Sequence, residues 1–316
     1  MINSNRATII YNPASGRPGR RAEVVREMIA LLSQRGIESD ARATTAPDDA
    51  ARLTKEALAH ASIIVSYGGD GTINEVIQEM AGTDAALAVW PGGTSNVVAR
   101  DLGVPFDVAK LADMIAARKT RRIALGLAIG VGGRGLAVGE DGTQPLSPNS
   151  QPLHRYFLMM AGIGLDASIA RAVSKKLKRR TGEFAYWLSG ISHFFTWRGE
   201  RFTIDVDGQR YESTFALVGN GKGYGGGMMM TPNAKLEDPW FEVYIVPPMR
   251  NNFAYLRAFR GCMTGKPQVA GVSLIKGKHI VANSVRAPWV EMDGEIIGPL
   301  PMSFDIVPDA LSVIVP

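Results

Sequence analysis

The chain has 316 residues, 46% of them apolar and 21% charged; at about 150 residues per domain that is material for roughly two cored domains and excludes a disordered polymer. The formal charge of +5 suits an anionic partner without demanding one, and the single cysteine, Cys262, excludes an internal disulfide framework and a four-cysteine zinc site. No stretch reaches the roughly 18 uninterrupted apolar residues of a spanning helix, and no apolar secretory core follows the opening residues, so a cytoplasmic protein is expected.

Residues 7–11 form a short apolar strand candidate, followed by a Pro/Gly turn over 12–19. Residues 20–34 fit a helix with Val24, Met28, Leu31 and Leu32 on one face. A helix over 50–59, a β-branched strand over 62–67, a helix over 72–80 and a strand over 85–90 continue the series. This βαβα order predicts a mainly parallel sheet covered by helices, with ligands beyond the carboxyl ends of the strands. The pattern then turns to strands at 123–129, 202–206, 212–218, 241–245 and 277–282, and 157–163 reads as one buried strand. Gly, Pro and Asn punctuate them, so a β-rich, sandwich-like second domain is expected over 123–299. Residues 301–315 read as terminal strands able to pair in either domain. The first domain is therefore placed at 1–122, with 300–316 as its completion.

Three strand-end turns carry the chemistry. In Gly68-Gly69-Asp70-Gly71-Thr72 three glycines surround one carboxylate where a strand gives way to a helix. Glycines let successive backbone N–H groups turn toward an anion, and a helix start adds free N–H groups and partial positive charge. Asp70 fits such a turn by holding a cation, and Mg²⁺ with nucleotide phosphates is the obvious one. The competing reading is a tight turn with Asp70 as a cap. Neither a Rossmann fingerprint nor a P-loop is matched. Pro91-Gly92-Gly93-Thr94-Ser95-Asn96 repeats the design on the next strand, and Asn12-Pro13-Ala14-Ser15-Gly16 supplies a third turn, with Arg17, Arg20 and Arg21 beyond it. Each alone could be only a helix cap. Late in the chain, Asp293-Gly294 alone reads as a hairpin turn.

Taken together, Asn12-Pro13-x-Ser15-Gly16, Gly68-Gly69-Asp70-Gly71-Thr72-x-Asn74-Glu75-Val76 and Pro91-x-Gly93-Thr94-x-Asn96 resemble the diacylglycerol-kinase catalytic-domain family. Gly219-Asn220, Gly225-Gly226-Gly227, Pro232-x-Ala234-Lys235-Leu236-x-Asp238 and Asp293-Gly294-Glu295 extend the resemblance over nearly the whole chain. It implies an α/β nucleotide-binding domain of the NAD-kinase and phosphofructokinase type beside a β-rich lipid domain. The implied activity is ATP- and Mg²⁺-dependent phosphorylation of a lipid hydroxyl in the cleft between the two. By the same resemblance Asp70 acts in the Mg-ATP site, with Gly68, Gly69, Gly71 and Thr72 at the phosphates. Asn12, Pro13, Gly16, Gly93, Thr94 and Asn96 bind parts of the nucleotide, and Glu75 orients a phosphate-site partner or a metal-bound water. Asp293 takes the proton of the attacking hydroxyl, Glu295 supports that corner, and Glu237 with Asp238 corresponds to a structural magnesium site. A homodimer is a further implication.

The sequence departs from the family pattern at Val97, at Ala124-Leu125-Gly126 and at Asp238-Pro239-Trp240, where relatives often have Asp, Asp-x-Gly and Asp-Gly-Leu. A basic run, Lys175-Lys176-Leu177-Lys178-Arg179-Arg180, precedes Phe184, Leu188, Ile191 and Phe195 at helical spacing. That combination suits peripheral contact with an anionic membrane at the inner face of the cell membrane, or simple packing on the second domain. Met228-Met229-Met230 reads as core filling or as pocket lining. Two functions compete with the lipid kinase: an NAD-kinase-like enzyme, and a nucleotide- or lipid-binding regulator without phosphotransfer. No nucleic-acid-binding module accompanies the short basic run.

Overall fold

The computed structural model describes residues 3–15, 20–130, 153–164, 199–223, 229–249, 252–263, 266, 269, 271–286 and 288–316. The chain forms two compact units, Met1–Leu125 with Val307–Pro316, and Gly126–Ile306. In the first unit the order is β1 (Asn3–Tyr11), α1 (Arg21–Gln34), β2 (Glu38–Ala43), α2 (Asp49–Ala57), β3 (Ala61–Gly68), α3 (Asp70–Met80), β4 (Ala86–Pro91), α4 (Val97–Asp101) and α5 (Val108–Ala117). The strands run parallel in the order β2-β1-β3-β4. β3 is buried at nearly every position, as a strand covered on both faces must be. The buried stripe of α1 is Arg21, Val25, Met28 and Leu32, so Val25 replaces the expected Val24 and an arginine joins the inner face. Asp107 caps α5 by accepting from Lys110 N at 2.9 Å.

The second unit contains β5 (Thr120–Gly130), β6 (His154–Phe157), β7 (Met160–Ile163), β8 (Phe202–Val206), β9 (Gln209–Ser213), β10 (Phe215–Gly219), β11 (Phe241–Val246), α6 (Asn252–Met263), β12 (Ser273–Gly277), β13 (His279–Asn283), β14 (Trp289–Met292), β15 (Glu295–Pro299) and β16 (Met302–Ile314). β5 begins in the first unit and β16 ends there. One antiparallel sheet has the order β12-β11-β10-β7-β14-β15; the other contains the start of β16 followed by β13-β8-β9, together with the β5–β6 pair. Phe157, Phe202, Ile204, Phe304, Phe241, Val243 and Ile245, drawn from both sheets, share one buried core.

Three expected strands are each two. The run 157–163 breaks at Leu158–Met159, 212–218 at Thr214, and 277–282 at Lys278, and at each break the chain leaves one sheet for the other. Continuous apolar character hides such corners, because both halves face the same core. The expected terminal strands are one strand. The first half of β16 pairs antiparallel with β13, and Ser312 and Val313 pair in parallel with Ala86 and Leu87 of β4.

Candidate functional site

Three turns follow β1, β3 and β4, which are neighbours in the first unit's sheet. Hydrogen bonds tie them together: the backbone Asn12 N donates to Tyr67 O at 3.2 Å and Gly92 N to Gly68 O at 2.8 Å, and the Ser15 hydroxyl donates to Gly92 O at 3.2 Å. The two glycine turns are in backbone contact, since a Cβ on Gly93 would lie 2.5 Å from Gly69 Cα. A Cβ on Gly68 would run into Thr72. These approaches exclude a side chain, which is a physical reason for glycine at both places.

Gly69 O accepts from Thr72 N at 3.0 Å and from Ile73 N at 3.3 Å, so α3 begins at Asp70, two residues before the expected start. Asp70, Gly71 and Thr72 thus form the first turn, where the Asp70 and Gly71 amides precede the first helical hydrogen bonds and the helix end is electropositive. Asp70 Oδ1 accepts from Val98 N at 3.2 Å, and its Oδ2 has no hydrogen bond among the described residues. Asn96, at φ 47°, accepts from Gly93 N at 2.8 Å and donates to Gly93 O at 2.9 Å, so its amide group closes the turn. Asn12 Oδ1 does similar work by accepting from Ala14 N at 2.9 Å. Pro13 and Thr94 are exposed, and Gly16 lies outside the described residues. Glu75 Oε2 accepts from Ala50 N at 2.9 Å in the first turn of α2, a helix without a cap from its own side chains.

A buried column stands behind the turns. Tyr67 stacks on Trp90 with ring centroids 3.8 Å apart, and the Arg21 guanidinium lies 4.4 Å from the Tyr67 centroid. Arg21 is 6% exposed and donates to Gly92 O. Burial pushes its guanidinium below the usual arginine range, with Tyr67 pulling weakly the other way. A Cβ on Gly92 would meet both Tyr67 and Arg21. Sequence pattern placed Arg21 near the first turn but gave no sign that it supports the third.

In the second unit Asp293 sits at φ 48° in the β14–β15 hairpin, followed by Gly294 at φ 90°. Its carboxylate reaches the corner between β6 and β7. Oδ2 accepts from Leu158 N at 2.7 Å, and Oδ1 accepts from Met159 N at 2.9 Å and Met160 N at 3.0 Å. Asp207-Gly208 repeats this arrangement at another corner. Asp207, at φ 50°, accepts from Lys278 N and His279 N at 2.9–3.2 Å. The hairpin reading and the anchored carboxylate therefore coexist at Asp293, and Asp207 shows that a corner alone can call for such an aspartate. Glu295 is paired with Arg155.

Glu237 is exposed and Asp238 half-buried in the turn before β11. A third carboxylate, Glu242, is 4% exposed and anchors that turn, accepting from Asn233 N at 2.9 Å and Asn233 Nδ2 at 2.7 Å. Its position inside β11 gave it the look of an ordinary strand residue. The Lys276 ammonium lies 4.3 Å from the Trp240 centroid. Among the described residues no three His, Cys, Asp or Glu side chains converge on a metal position. Met230 is core at 1% exposed and Met229 is exposed; Met228, the glycines 225–227, the basic run at 175–180 and the aromatics at 184–195 lie outside the described residues. No described helix is long and apolar enough to cross a membrane.

The family model described as the diacylglycerol kinase catalytic domain matches residues 6–128, and the YegS C-terminal NAD kinase beta sandwich-like domain matches residues 160–315. The diacylglycerol kinase of Bacillus subtilis strain 168 is 30% identical over 306 residues, which cover 95% of this chain and 92% of that protein. The diacylglycerol kinase of Staphylococcus carnosus strain TM300 is 29% identical over 309 residues, 95% of this chain and 91% of that one. A crystal structure of a diacylglycerol kinase from Bacillus anthracis str. Sterne superposes with a TM-score of 0.74 at 24% identity, over 99% of this chain and 97% of that chain, which shows a shared fold.

Proposed function

Because the chain belongs to the diacylglycerol kinase catalytic-domain family, we propose that it is a lipid kinase that moves the terminal phosphoryl group of ATP to a lipid hydroxyl. Diacylglycerol, sphingoid and ceramide alcohols are the acceptor classes. The observation that carries the reading is the convergence of three strand-end turns in the first unit, two of them in glycine backbone contact beside the start of α3. Such a surface presents backbone N–H groups and a helix N-terminus to phosphate oxygens. In this reading that unit is the nucleotide domain, of the NAD-kinase and phosphofructokinase type, and residues 126–306 supply the lipid domain. The protein works in the cytoplasm with peripheral access to the membrane.

The first unit's residues fit a magnesium nucleotide. Asp70 keeps Oδ2 without a hydrogen bond among the described residues, and Mg²⁺ is commonly held by one or two carboxylates together with phosphates. Bound Mg²⁺ supplies neutralisation of phosphate charge. Asp70 would hold the ion, while Gly69, Gly71 and Thr72 orient the phosphates. Asn12, Thr94 and Asn96 shape the nucleotide-binding turns, and Glu75 acts through the fixed position of α2. Glu237 and Asp238 remain the proposed structural cation position. During transfer a bond forms between the lipid oxygen and the terminal phosphorus, and the bond from that phosphorus to the ADP oxygen breaks. Asp293, held in place by the amides of Leu158, Met159 and Met160, accepts the hydroxyl proton. Glu295, paired with Arg155, supports that corner from the next strand.

Purified protein with γ-labelled ATP, Mg²⁺ and detergent-dispersed lipids tests the reading, with NAD as a further acceptor. Label in a lipid product, lost in Asp70→Ala and Asp293→Asn, supports it. Label on NAD and none on any lipid turns the assignment to the NAD-kinase-like enzyme. ATP binding without transfer to any acceptor turns it to the regulator.

A further inference from the structure

Helix α6 presents a face that the described residues of the second unit leave exposed. Its inner side is fixed: the Tyr255 hydroxyl shares a 2.9 Å hydrogen bond with Thr214 Oγ1 and accepts from Met249 N at 3.0 Å. Ala258 is 3% exposed, and its carbonyl accepts from the Tyr244 hydroxyl at 3.4 Å. The opposite side carries Phe253 at 75% exposure, Leu256 at 46%, and exposed Arg257 and Arg260. These positions are i, i+3, i+4 and i+7, so they form a single stripe along the helix. Between Glu242 and Glu291 the chain has seven lysines and arginines and no aspartate or glutamate. The stripe is therefore apolar and cationic, on a helix whose flanking sequence adds further lysines and arginines.

That chemistry selects its occupant. A second copy docked by two-fold symmetry through this stripe would bring arginines against arginines. An anionic bilayer satisfies both components: apolar side chains enter the boundary between headgroups and acyl chains, and arginines extend their stems along it with guanidinium groups at lipid phosphates. We propose that α6 lies flat on anionic membrane and docks the protein there through Phe253, Leu256, Arg257 and Arg260. The inference rests on α6 and stands apart from the kinase reading, because vesicle binding is scored without phosphotransfer.

The full chain is sedimented with phosphatidylcholine vesicles that contain or lack phosphatidylglycerol. Binding is expected only with the anionic lipid. Arg257→Gln/Arg260→Gln should weaken it about thirtyfold, the surface attraction of two arginines, and Phe253→Ser/Leu256→Ser about tenfold or more. Both variants change exposed side chains, so their melting temperatures and their phosphotransfer to detergent-dispersed lipid should match the wild type. The proposal is overturned by absent wild-type binding, by equal binding to neutral vesicles, or by unchanged affinity in both variants. It is equally overturned if binding is lost only on neutralising the basic run at 175–180. Loss of a dimer in sedimentation velocity on Phe253→Ser/Leu256→Ser, with vesicle binding intact, would instead assign the face to a second copy.

Discussion

Gly93→Ala and Gly69→Ala form a matched pair that probes the contact between the two glycine turns. On Gly93 the new methyl carbon would sit 2.5 Å from Gly69 Cα and 3.3 Å from Asn96 Oδ1. The first neighbour is backbone and cannot rotate away, so the turn must retreat by about 1 Å to restore ordinary contact. Overpacking of this kind costs roughly 1–3 kcal/mol. A displacement of about 1 Å at a phosphate-positioning turn costs about a hundredfold in rate. On Gly69 the methyl carbon would sit 3.4 Å from Gly93 Cα, at φ −88°, where an alanine is tolerated. Its cost is confined to a poorer N-cap for α3, about 1 kcal/mol. The assay is kcat/KM for ATP beside thermal melting for both variants. Wild-type behaviour in Gly93→Ala, or equal damage from the two substitutions, would refute the packing argument.

Asp293→Asn keeps one acceptor oxygen but turns an amide donor toward backbone donors at the β6–β7 corner; it should lose roughly 1–3 kcal/mol and about a hundredfold or more in phosphotransfer. Asp207→Asn is the internal control: melting temperature should fall while phosphotransfer stays near wild type, and a comparable loss of transfer would deny Asp293 a special chemical role. Glu75→Ala should cost about 1 kcal/mol by uncapping α2, with Glu75→Gln recovering most of it and KM for ATP unchanged; a raised KM with unaltered melting would make Glu75 a nucleotide contact. Thr45 N and Thr45 Oγ1 both donate to Asp49 Oδ2, and these bonds, aided by Arg52, hold the Asp49 carboxyl well below its ordinary range. A depressed carboxyl stabilises the fold above its unfolded pKa, near 4, and that contribution fades as pH falls toward the folded value. Thr45→Val should therefore move the Asp49 titration upward when followed by carboxyl NMR and should narrow the stability difference between neutral and acid pH.

In the first unit β1, β3 and β4 were legible because parallel strands buried on both faces write themselves as continuous apolar stretches and each of these ends at a turn rich in glycine or proline, whereas β2, an edge strand with no buried position, and helices α4 and α5 were not expected. Even there the start of α3 moved to Asp70, since Gly69 supplies a carbonyl acceptor that residue type does not reveal. The sheet-switching corners were illegible for a different reason. Met160 through Ile163 and Phe157 are all buried, so periodicity reports burial and says nothing about which sheet a residue belongs to. The partners of those corners come from far along the chain: Asp293 is 133–135 residues from the amides it receives. Arg21 and Glu242 were missed as anchors because a buried ion in a helix or strand looks, in sequence, like any exposed one. Glu75 and Asn96 each have a backbone partner that sequence did not reveal, Ala50 N and Gly93 N.

The parallel pairing of β16 with β4 has a consequence for biosynthesis. Leu311, Val313 and Ile314 are at most 1% exposed, so the first unit's core includes residues translated after the entire second unit. Until they emerge, β4 has an unpaired edge, and its apolar neighbours lack part of their cover. The nascent amino-terminal unit must therefore wait, partly open, while about 180 further residues are made. A ribosome stalled after the second unit would hold a chain whose second half can close before its first.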